Sequence, residues 1–72
     1  MNELDERINL LEERVTSLKK ELRRIKSAIN KVEKLSLTPP TEIMIKKEKV
    51  ENDLKERKEE LKALKKVVEL LK

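Results

Sequence analysis

Nine apolar residues, Leu4, Ile8, Leu11, Val15, Leu18, Leu22, Ile25, Ile29 and Val32, recur at alternating spacings of four and three. A helix turns once every ~3.6 residues, so this spacing gathers all nine on one stripe, the seam of a coiled coil. No polar residue interrupts it over four heptads. A helix over about 3–35 follows, roughly 50 Å long. Asn2 is placed to cap it, and Glu3, Asp5 and Glu6 put negative charge at the positive pole of its dipole.

Pro39 and Pro40 end that helix, because neither donates a backbone hydrogen bond and each drives the preceding residue away from helical angles. The turn covers about 36–40. A second helix is predicted over about 41–72, with Thr38 or Thr41 as its cap, since early prolines cost little in a first turn. Its seam runs Ile43, Lys47, Val50, Leu54, Arg57, Leu61, Leu64, Val68 and Leu71. Lys47 and Arg57 thus stand where apolar residues belong. They serve either to fix register or partner, or as long stems packed in the seam with their charges in water. Lys65, Lys66 and Lys72 suit the negative pole at the end of this helix.

Two long helices joined by a few residues pack as antiparallel neighbours. The fold expected is all-α, a single helical-hairpin domain over 1–72. With the bend at 38–39, residue i faces about residue 77 − i, which sets Asp5 near Lys72, Glu12 near Lys65 and Lys26 near Glu51. A parallel coil through the first helix alone is the alternative. Its a positions (Ile8, Val15, Leu22, Ile29) are mostly β-branched and its d positions mostly Leu. In that coil Arg7 pairs with Glu12 of a second chain, and Glu21 with Lys26.

A chain of 72 residues is marginal as a single core. The sequence has no Cys, His, Gly or aromatic residue. Disulfides, Cys/His metal sites and glycine phosphate loops are therefore excluded, and no cofactor is expected. Self-association is the remaining source of stability. The expected assembly is a dimer of hairpins forming a four-helix bundle. Its interface is assigned to the first seam (Leu4 through Val32) together with Leu61, Leu64, Val68 and Leu71. Charged residues make up 47% of the chain, a Lys/Glu-rich balance that also suits a thermophile. No apolar run reaches the roughly 18 residues of a membrane span, and the acidic start MNELDERINL is unlike a targeting peptide. A cytoplasmic protein without membrane contact is expected.

Two surfaces are candidates for function. Leu35, Leu37, Ile43, Met44 and Ile45 cluster at the turn. Three consecutive apolar residues, 43–45, cannot all face one helix, so Leu37, Ile43, Met44 and Ile45 form either a docking tip or a plug that closes the bundle. The other candidate is cationic. Residues 19–35 hold seven Lys/Arg against two Glu. Lys20, Arg23, Arg24, Lys31 and Lys34 lie opposite the seam, either as an ordinary solvated face or as a row able to track a phosphate backbone. No nucleophile–base pair or calcium-loop spacing occurs, and the serines have no histidine to activate them. No catalysis is expected. The function predicted is an oligomeric protein–protein interaction or adaptor module. The alternative is a nucleic-acid-binding hairpin dimer.

The plan, a short helix–turn–helix chain expected to dimerise, resembles that of Rop, the small plasmid RNA-binding family. The resemblance is architectural, with no shared motif residues, and implies an RNA-binding face on a pair of helices. Pro40 to Leu64 also resembles the second helix of the C-terminal arm of valyl-tRNA synthetases, where a proline precedes a Lys/Glu coil. Neither resemblance carries a site residue onto this chain.

Overall fold

A computed structural model describes residues 3–71. Two helices, α1 (Glu3–Lys34) and α2 (Thr41–Leu71), pack against each other as an antiparallel hairpin measuring 55 × 16 × 15 Å. No strand occurs among the described residues. The seam of α1 faces α2 of the same chain. Asn2 and Lys72 lie outside the described residues, and with them the expected cap of α1 and the Asp5–Lys72 pair.

The turn is built on Ser36, not on the prolines. Its φ is 59°, the left-handed conformation usually given to glycine. Ser36 N–H donates to Glu33 O (2.9 Å) and Leu37 N–H to Val32 O (3.2 Å), the paired bonds of a Schellman cap. Those bonds satisfy the carbonyls that the end of α1 would otherwise leave open. Pro39 and Pro40 follow where the helix has already stopped. At the start of α2, Pro40 O accepts from Ile43 N–H (3.2 Å) and Met44 N–H (3.3 Å). Pro40 therefore occupies the cap position, and neither Thr38 nor Thr41 caps the helix with its side chain, a correction to the sequence expectation.

Four ion pairs across the helices fix the register: Arg7–Glu60, Arg14–Asp53, Glu21–Lys46 and Glu12–Lys65. In the first three, the α2 number falls by seven as the α1 number rises by seven. They form one edge of the seam, and Glu12–Lys65 belongs to the other. The seam lies midway between, with residue i level with residue 72 − i: Leu18 with Leu54, Leu22 with Val50, Val15 with Arg57. The alignment expected from the bend, 77 − i, holds only along the Glu12–Lys65 edge, where no ion pair joins Lys26 and Glu51. The difference arises because residues 35–40 run back along α1 before α2 begins, so that Ile29 is level with Ile43.

Among the described residues seven side chains are buried: Leu11, Val15, Leu18, Ile25, Ile29, Val50 and Leu54. Leu22, Ile43 and Leu61 pack against this core. Toward the open end it thins, with Leu4, Ile8, Leu64 and Val68 half-buried, while Leu71 is 75% exposed. Val32 is half-buried near the turn. At about 1.5–3 kcal/mol per buried aliphatic side chain, the middle of the rod supplies most of the favourable packing.

Candidate interaction surfaces

The two edges of the seam differ in chemistry. On the first, six residues form one connected ionic network across both helices. Arg57 enters from the seam. Its Nη1 is 3.3 Å from Glu60 Oε2, its Nη2 3.4 Å from Glu56 Oε2, and its Nε 3.2 Å from Asp53 Oδ1. The Nε contact lacks hydrogen-bond alignment and is a charge contact only. Glu60 also accepts from Arg7, and Asp53 from Arg14 at 3.1 Å. The chain Arg7–Glu60–Arg57–Asp53–Arg14 thus straps α1 to α2. Arg7 holds the Glu60 carboxyl below the usual carboxylate range, chiefly through its hydrogen bond and then through its charge. The Arg57 charge adds to this, while desolvation opposes it.

Arg57 therefore ends on acids and not in bulk water, and its seam position ties the register. The sequence already held the signal: Arg at 7 and 14 and acids at 53 and 60 share a seven-residue spacing just before seam positions. The pairs expected for a parallel coil, Arg7–Glu12 and Glu21–Lys26, are replaced by Arg7–Glu60 and Glu21–Lys46. Lys47 is half-buried in the seam and makes no ion pair with a described residue.

The second edge carries a groove of about 820 Å³ with Val15 and Leu61 among its lining. Five lysines line it: Lys19, Lys58, Lys62, Lys65 and Lys66. Among the described residues only Lys65 of these has an acidic partner, Glu12, at 3.6 Å. Lys19 and Lys58 occupy the same relative places on the two helices as Glu12 and Lys65, so this one step of the edge brings like charges together.

The tip residues divide. Ile43 packs on the core. Leu35, Leu37, Met44 and Ile45 are exposed by 70%, 59%, 42% and 48%. A second apolar group, Leu10, Val67, Leu70 and Leu71, is exposed toward the open end. Between the two ends the outward-facing side chains are polar. The predicted cationic row is exposed throughout and forms no ion pair among the described residues, but the helix spreads it around its circumference. Lys20 and Arg24 line a cleft with Lys46 of α2.

Among the described residues no helix is long and apolar enough to cross a membrane, and no cluster of acidic side chains could hold a metal ion. No family model, curated protein or solved structure matches the chain.

Proposed function

We propose that the hairpin is a small self-associating interaction module without catalytic activity, a dimer in solution, whose turn end docks a protein partner. The observation that carries this reading is the exposure of four apolar side chains, Leu35, Leu37, Met44 and Ile45, in and just after a turn that needs none of them. Ile43, next to Met44 in α2, packs on the core and holds the start of that helix in place. The half-buried open end supports self-association, because two helices leave each seam wet along its flanks.

The test is molar mass by light scattering, combined with Ile45→Glu. The wild type is expected at twice the 8.5 kDa chain mass. Ile45→Glu is expected to keep that mass while partner capture at the tip is lost. If the substitution dissolves the dimer, the tip belongs to the assembly core and the docking role fails.

A second reading rests on the exposure of Lys20, Arg23, Arg24, Lys31 and Lys34, none of which is neutralised by a described acid. On that reading the α1 face binds a phosphate backbone. Affinity for single-stranded nucleic acid would fall steeply with salt and vanish when Lys20, Arg23, Arg24 and Lys31 become Glu. Absence of binding at low salt removes it.

A further inference from the structure

We propose that a second copy of this chain packs on the lysine-lined side of the hairpin, related by a two-fold axis parallel to the long axis of the rod. The inference rests on the self-association put forward above and assigns its surface and geometry.

Charge order along the rod carries it. From the open end toward the turn, this side of α1 presents Glu12, then Lys19, Arg23 and Lys26. At matching heights α2 presents Lys62, Lys58 and Lys55, then Glu51 and Glu48. One helix runs from acid to base and the other from base to acid. A two-fold axis along the rod lays α1 of one copy over α2 of the other without changing height. Glu12 then meets Lys58 and Lys62, Lys19 lies between Lys55 and Glu51, and Arg23 meets Glu51 and Glu48. Lys19 and Lys58, opposed as like charges within one chain, each gain an acidic neighbour. All adjacent helices in the resulting four-helix bundle are antiparallel. The groove between the lysines, with Val15 and Leu61 in its lining, supplies apolar surface to cover.

Other arrangements fit less well. The opposite side of the hairpin has its cross-helix charges already closed by Arg7–Glu60, Arg14–Asp53 and Glu21–Lys46. Nearer the turn that side would bring Arg24 onto Lys46 and Lys49. End-to-end contact through a 16 × 15 Å cross-section is too small. The side of a rod 55 Å long and 16 Å wide is comparable to the about 800 Å² per partner of a standard interface.

The chain has no cysteine, so single-cysteine variants report the geometry directly. Lys26→Cys is expected to cross-link to its own counterpart with a short bis-maleimide, and Arg14→Cys, on the other edge, is not. With the axis across the rod, the two thiols introduced by Lys26→Cys would stand about 30 Å apart and fail to link. In sedimentation equilibrium, Glu12→Lys or Lys58→Glu alone should weaken the dimer about tenfold or more. The double variant should restore it, with helicity by circular dichroism unchanged throughout. A dimer indifferent to Glu12→Lys but broken by Leu10→Glu with Val67→Glu overturns this arrangement and leaves self-association standing. A wild type that is monomeric at every concentration overturns both. A monomer that instead binds polyglutamate or single-stranded DNA at Lys58 and Lys62 overturns both as well, and assigns the groove to an acidic polymer.

Discussion

Ser36 adopts a left-handed backbone conformation that costs an ordinary L-residue about 1–2 kcal/mol. The turn bears that cost because the Schellman bonds from Ser36 and Leu37 close the end of α1. Ser36→Gly should therefore stabilise the hairpin by about 0.5–1 kcal/mol, with the gain trimmed by glycine's greater freedom in the unfolded chain. Ser36→Val should destabilise it by more than that, since a β-branched side chain fits the left-handed region poorly. Thermal unfolding followed by circular dichroism measures both. Glu60 gives a second residue-scale prediction. Its carboxyl is held below its ordinary range by Arg7 and Arg57, so the folded state binds the proton less readily than the unfolded state. The stability this contributes is present above the unfolded carboxylate range, about pH 4.3, and is lost as pH falls through the lower folded value. Glu60→Gln should flatten the acid limb of a stability–pH curve, below the ordinary carboxylate range, while leaving the curve's shape at neutral pH unchanged.

At the scale of the element, the two helices are unequal partners. The seam of α1 is apolar throughout, and five of its residues are buried. That of α2 buries only Val50 and Leu54, because Lys47 and Arg57 take seam positions. Lys47 and Arg57 do different things despite equivalent placement. Arg57 reaches three acids, whereas Lys47 reaches none among the described residues. Lys47→Ile should therefore stabilise the hairpin by about 1 kcal/mol, and Arg57→Ile should destabilise it by leaving Asp53 and Glu60 with one arginine each. Urea denaturation of the two variants checks the contrast. The existence of both helices and their reversal were legible in the four-three spacing and the paired prolines. Register was not. It depends on how many residues the turn consumes, and a glycine-free chain offers no sign that Ser36 takes the left-handed position. The ionic network was legible only once that register was known, since Arg7 and Glu60 stand 53 residues apart.

For the whole molecule, what matters is how burial is distributed along 55 Å. The core is dense from Leu11 to Ile29 and thin beyond Ile8, while apolar side chains lie exposed at both ends. Leu18→Ala, at the best-covered position, should cost about 3–5 kcal/mol, whereas Leu4→Ala should cost about 1 kcal/mol in the isolated hairpin. A markedly larger loss at Leu4 in the dimer would mean that the second copy covers that end. Hydrogen exchange should follow the same gradient, with amides near Leu18 and Leu54 slowest and those near Leu4 and Leu70 fastest.

Glu3 and Leu71 leave the rod at the same end, and that is also its least buried end. A pull applied between them would not stretch the molecule along its length. It would peel the helices apart layer by layer, as a zipper opens. The first layers, Leu4 with Val68 and Ile8 with Leu64, give little resistance. The strap from Arg7 to Arg14 is the next obstacle, and the dense middle lies behind it. Under tension the hairpin is thus a graded latch, soft at first and then abruptly stiff, and Glu60 and Asp53 mark where the change occurs.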